Sequence, residues 1–201
     1  MSRCMKGRLA IVSLATSLVL GACGDGQEET ATPQLAVFAP VTFASTDGVQ
    51  LSGSLFGQGR QGIILAHMFP ADQESWLEFA GELAGLGYLA LPFDFHGYGD
   101  SEGDQEFDRI DRDVEGALDF LEQRGVEDVF LIGASMGGPA SLKVTSRRSV
   151  SGVVSVLPLA GLAETSAQIL VLPSTGHGTD MLDGTIRQSV RDVIMDFPEE
   201  D

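Results

Sequence analysis

The sequence predicts a three-layer α/β domain, a mostly parallel sheet with helices on both faces and an antiparallel hairpin at its N-terminal side. Three observations carry this. The runs GIILAH (residues 62–67), YLALPF (88–93) and VFLI (129–132) are continuously apolar, as strands buried on both faces are. Segments of helical period separate them, and strands alternating with helices imply a parallel sheet. Ahead of them, two β-prone runs at 41–45 and 50–55 flank Thr46-Asp47-Gly48-Val49, a hairpin turn signal.

The elements follow in order. After the strand at 62–67, Trp76, Phe79, Ala80 and Leu83 recur at helical spacing within 73–86, and Gly87 supplies a natural end. The strand at 88–93 is followed by the clearest amphipathic pattern in the chain, Phe107, Ile110, Val114, Ala117, Leu118 and Leu121, stopped by Gly125. The strand at 129–132 leads into a helix over 136–145. Strands at 153–156 and 169–172 come next. Ile186, Val190, Val193, Ile194 and Phe197 mark a last helix, which Pro198 ends.

The composition is globular, with 43% hydrophobic and 20% charged residues among 201. With 29 acids against 12 bases and a net charge of −17, the chain lacks the cationic footprint that nucleic acid needs. A polybasic membrane contact is excluded for the same reason. Three histidines and two cysteines, spaced as Cys4, Cys23, His67, His96 and His177, build no zinc cluster. No cofactor is called for.

The N-terminus reads as an address. Arg3, Lys6 and Arg8 precede an apolar run of twelve at 9–20, which suits a signal peptide and is short for a membrane span. Leu20-Gly21-Ala22-Cys23 resembles the lipobox of bacterial lipoproteins. That resemblance implies a signal peptide at 1–22, cleavage before Cys23, a lipid on its sulfur and a place in the bacterial cell envelope outside the cytoplasm. Residues 23–40 then form the lipidated cysteine and a polar, flexible tether, and 41–198 form the folded domain. Membrane contact would run through the Cys23 lipid alone.

Two serines fit G-x-S-x-G, a weak pattern in a chain with 25 glycines. Gly99-Asp100-Ser101-Glu102-Gly103 lies in a loop of glycines and acids, with no helix directly after it. Gly133-Ala134-Ser135-Met136-Gly137 follows VFLI without a gap and opens a helix, the strand–turn–helix setting of a nucleophile elbow. Gly133 and Gly137 let strand and helix pack closely there. A serine nucleophile needs a base. Of the three histidines, His67 ends a strand and reads as a brace, His96 lies in a glycine turn, and His177 follows the last strand, where the chain order Ser…acid…His puts the base.

From residue 41 to 197 the chain resembles the α/β-hydrolase family, with serine esterases and dienelactone-hydrolase-like members as the nearest types. His67-Met68-Phe69-Pro70, with Ser75-Trp76, looks like its H-G-F-P…S-W loop, with Met68 in place of glycine. Asp94-Phe95-His96-Gly97-Tyr98-Gly99-Asp100-Ser101 looks like D-x-R-G-x-G-x-S, with His96 in place of arginine. Gly176-His177-Gly178 resembles the turn carrying the catalytic histidine. The resemblance implies backbone N–H groups of Phe69 and Met136 as the oxyanion hole.

The acid departs from the family pattern. Between Met136 and Gly176 stands a single carboxylate, Glu164, and only residues 157–168 join the last two strands. The fold therefore reads as shortened by one strand–helix unit before its last strand. Glu164 is either the third triad member or a solvated helix glutamate. Two functions follow: a serine hydrolase cleaving small acyl substrates such as carboxylic esters, or a degenerate hydrolase retained as a binding lipoprotein. A perhydrolase-like activity would use the same parts.

Overall fold

A computed structural model of the chain describes residues 38–156, 169–171, 188 and 190–192. Seven strands form one sheet: β1 (Phe38–Ala44), β2 (Gln50–Phe56), β3 (Gln61–Ala66), β4 (Leu89–Phe93), β5 (Asp128–Ala134), β6 (Gly152–Val156) and β7 (Ile169–Val171). Their spatial order is β1-β2-β4-β3-β5-β6-β7. β1 and β2 pair antiparallel, and β2 runs antiparallel to β4. Every other pairing is parallel. The expected hairpin is thus present at one edge. β7 lies directly against β6, with Val153 opposite Ile169.

β1 starts at Phe38, ahead of the β-prone run at 41–45. The Phe38 ring stacks on Phe56 of β2, centroids 5.0 Å apart, and Pro40 is tolerated because β1 is an edge strand. At the hairpin turn, Asp47 accepts from the Ser45 hydroxyl at 2.5 Å and pairs with Arg109 and Arg112.

Alternation along the buried strands divides the core into two layers. Ile64, Ala66, Leu91, Phe93, Leu131 and Val153 face one side. Ile63, Leu65, Ala90, Phe130, Ile132 and Val154 face the other. Helix α1 (Leu77–Gly85), entered through a 3-10 turn at Gln73–Trp76, covers the second side with Trp76, Phe79, Ala80 and Leu83. Val190 packs there too. Of the last helix expected over 186–197, residues 188 and 190–192 are described, and they are helical; the remainder lies outside the described residues.

Helices α2 (Ile110–Glu122) and α3 (Gly137–Thr145) cover the first side. Ile110, Val114, Ala117, Leu118 and Leu121 of α2 face the core as their period requires. Phe107 departs from that expectation. It precedes α2 and is 55% exposed. Three cations after or late in α3 grip acids of α2: Lys143 and Arg147 hold Asp111 at 2.8 and 2.7 Å, and Arg148 holds Asp119 at 2.8 Å.

Candidate active site

The parallel strands direct their carboxyl ends toward one rim, where open α/β sheets place function. At that rim β5 turns into α3 through Ser135. Its φ of +47° is the one positive value at a non-glycine position among the described residues. Side chains avoid this region because Cβ crowds the backbone, so the surrounding packing must impose it.

That packing is visible at two glycines. A Cβ on Gly133 would lie 2.2 Å from the Gly137 carbonyl oxygen, and one on Gly137 would lie 2.4 Å from that of Ala66. The start of α3 is therefore wedged against both β5 and the end of β3. Ser135 N–H donates to the Val156 carbonyl at 3.0 Å, and Gly138 N–H to the Ser135 carbonyl at 3.0 Å. Ser135 is left half-buried at the mouth of the turn.

The contact between Gly137 and β3 brings the loop after β3 beside the elbow. Phe69 belongs to this loop and is 50% exposed. Met136, the residue after the serine, is the N-cap of α3, where backbone N–H groups are free of helical partners and the helix dipole is positive.

His67 is fully buried, and both ring nitrogens are committed. Nε2 accepts the Phe95 N–H at 3.1 Å, which leaves Nδ1–H to donate to the Met68 carbonyl at 2.9 Å. Burial holds its pKa below the usual value for histidine. His96 is buried as well. Its backbone N–H donates to Asp113 Oδ2 at 2.9 Å, and its Nδ1 lies 2.7 Å from the same oxygen. Glu106 N–H reaches His96 Nε2 at 3.3 Å. Burial raises the Asp113 pKa against the pull of His96. Both histidines are braces, His67 as expected.

Ser101 is a brace also. Its hydroxyl donates to the Asp94 carbonyl at 2.7 Å and accepts the Ser52 N–H at 2.8 Å. Buried Asp94 accepts from the backbone and side-chain amides of Gln73 at 2.7 and 2.8 Å and from Asp100 N–H at 3.1 Å. The loops after β3 and β4 are thereby locked to each other. These cross-links join residues far apart in sequence, and no local pattern announced them.

Cys23, Glu164 and His177 lie outside the described residues. In the chain, Glu164 falls between β6 and β7, and His177 follows β7. Among the described residues, no group of His, Cys, Asp and Glu side chains is placed to hold a metal ion.

This strand order, with a serine on a strained strand-to-helix turn at the carboxyl rim, defines an α/β-hydrolase. The serine aminopeptidase S33 family matches residues 57–182, more than half of the chain, and the protein belongs to that family. It is 28% identical over 123 residues to the dihydrolipoyllysine-residue acetyltransferase component of the acetoin cleaving system of Cupriavidus necator, covering 60% of this chain and 33% of that one. To epoxide hydrolase 3 of Siraitia grosvenorii it is 34% identical over 98 residues, 46% of this chain and 30% of that protein. The esterase Pf2001 of Pyrococcus furiosus superposes with a TM-score of 0.53 at 22% identity, over 59% of this chain and 51% of that one, a likeness of fold. The chain spans about a third to a half of the length of these relatives.

Proposed function

We propose that the protein is a lipid-anchored serine hydrolase of the bacterial cell envelope, acting on carboxylic esters or related acyl bonds. The observation that carries this reading is Ser135, held at φ +47° between β5 and α3. In the proposed reaction its Oγ attacks the substrate carbonyl carbon while His177 takes the hydroxyl proton. The backbone N–H groups of Phe69 and Met136 stabilise the oxyanion. The leaving oxygen departs with the proton from His177, and water then releases the acyl group by the reverse proton path.

Two facts support His177 as base. His67 has both ring nitrogens engaged, and His96 is tied to Asp113 and Glu106. The serine itself favours acyl chemistry over the epoxide opening named among the relatives: a serine that opened an epoxide would be left as an ether, which water does not release under mild conditions.

Glu164 is proposed as the group that orients His177. The short connection between β6 and β7, with Glu164 as its single acid, also favours a second reading, a catalytically weak binding lipoprotein. One experiment separates them. A chain beginning at Gly24 is treated with a fluorophosphonate probe and assayed on p-nitrophenyl acetate, with Ser135→Ala as control. Labelling and turnover that vanish in Ser135→Ala support the hydrolase. A folded protein with neither signal leaves the binding reading. Glu164→Gln should lower kcat by up to about 10⁴-fold if Glu164 sets the histidine tautomer; an unchanged rate removes it from the triad.

A further inference from the structure

Two large apolar side chains stand exposed beside the elbow. Phe69 is 50% and Phe107 55% exposed, and their rings touch edge to face with centroids 5.6 Å apart. Phe107 also borders a groove of about 300 Å³ that runs along the first turn of α3, lined by Ile110, Met136, Pro139, Ala140 and Lys143. Met136 directly follows Ser135 in the chain, so the groove reaches the residue beside the proposed nucleophile. Its volume lies at the lower end for ligand pockets.

The charges at its rim are uneven. Lys143 is already paired, with Nζ 2.8 Å from Asp111 Oδ1 and 3.4 Å from the Asp108 carbonyl oxygen. Asp111 is held by Arg147 as well. The side chain of Asp108 is exposed and has no cationic partner among the described residues. A carboxylate entering the groove would meet this charge and find no free cation.

Sheet order indicates which part of the substrate enters. The groove lies between α3 and the segment joining β4 to α2, hence on the β4 side of β5. β7, which His177 follows in the chain, lies two strands away on the other side. If His177 acts as base from the end of β7, as proposed above, the leaving oxygen that it protonates faces the β7 side and the acyl chain is left to the β4 side.

We propose that the groove between Phe107 and the first turn of α3 is the acyl subsite, and that it selects short, uncharged apolar acyl groups over those bearing a carboxylate. This rests on the Ser135 hydrolase reading above. The test measures kcat/KM for p-nitrophenyl acetate, butyrate, phenylacetate and hemisuccinate on wild type, Phe107→Ala, Phe107→Leu and Asp108→Asn. Wild type should prefer butyrate and phenylacetate to acetate, and hemisuccinate should be the poorest. Phe107→Ala should cut the butyrate-to-acetate ratio about tenfold, the scale of losing one or two methylene contacts in a pocket, and Phe107→Leu should restore most of it. Asp108→Asn should raise the hemisuccinate-to-butyrate ratio severalfold. Ratios unchanged in both Phe107→Ala and Asp108→Asn would overturn the subsite while Ser135-dependent acetate turnover still stood. Loss of that turnover and of probe labelling in wild type would overturn the hydrolase reading itself, and the subsite with it.

Discussion

Ser135 occupies a conformation that costs a side-chain-bearing residue on the order of 1–3 kcal/mol, and Gly133 and Gly137 are what make it reachable. Gly133→Ala sets a methyl 2.2 Å from a backbone oxygen, which neither partner can yield without moving α3 off β5. We expect a loss of about 3 kcal/mol or more in urea unfolding, together with loss of probe labelling at Ser135; a variant of wild-type stability would contradict the packing described. Ser101 offers the opposite case. Ser101→Ala strands the Asp94 carbonyl and the Ser52 N–H, at a cost of about 1–3 kcal/mol, but labelling at Ser135 should persist. A pH test addresses His67. Burial lowers its folded pKa, so below about pH 6.5 the unfolded chain takes up a proton that the folded ring refuses. Stability therefore falls as pH drops through that value, down to the folded pKa. Asp113, with its pKa raised by burial, contributes in the opposite sense from about pH 3.8 upward. The difference between wild type and His67→Gln isolates the histidine: it should be flat above pH 7 and shrink below pH 6.5. A difference independent of pH would mean that the ring is not held neutral.

At the level of elements, the α2–α3 face separates apolar burial from ion pairing. Leu118 is fully buried between α2 and the sheet, and Leu118→Ala should cost about 2–5 kcal/mol. Arg148 makes bonds of 2.8 and 2.9 Å to Asp119 and Glu122, yet all three side chains remain in contact with water. Its loss in Arg148→Ala should cost no more than about 1 kcal/mol. Urea midpoints for the two variants in one buffer decide the ranking, and high salt should weaken only the Arg148 contribution. The same face marks what the sequence could and could not tell. The period of three and four residues predicted the buried stripe of α2 correctly, because burial on a helix repeats with its turn. It also drew Phe107 into that stripe. An apolar residue one turn ahead of a helix satisfies the same spacing whether it packs inward or lies outside the helix against Phe69. Only the tertiary position of Phe69 resolves the two.

Over the whole molecule, the legible parts were those fixed by local rules. The continuous apolar strands, the hairpin and the strand–turn–helix around Ser135 each occupy a short stretch whose chemistry is self-contained. His67 was legible as a brace, but the partners of the braces were hidden because they lie at distant positions: Phe95 for His67, Asp113 for His96, Asp94 for Gln73. The anchor proposed for the N-terminus rests on a local pattern of the same kind, over residues that lie outside the described ones. Among the described residues no helix is long and apolar enough to cross a membrane, and the apolar run at 9–20 is about two turns short of a span. Acidic residues outnumber basic ones 29 to 12, and removal of Arg3, Lys6 and Arg8 makes the remainder three charges more negative, so electrostatics oppose contact with anionic lipid. On the function proposed above, attachment to a membrane would come from a lipid on Cys23, its stem buried in the bilayer at about 0.8 kcal/mol per methylene. Expressed in a bacterium from its own start, the chain should fractionate with membranes, incorporate radiolabelled fatty acid and resist extraction by high salt. Cys23→Ser should abolish the labelling and leave the uncleaved precursor. A wild-type protein recovered in the soluble fraction, with an N-terminus other than a modified Cys23, would refute the anchor without touching the fold.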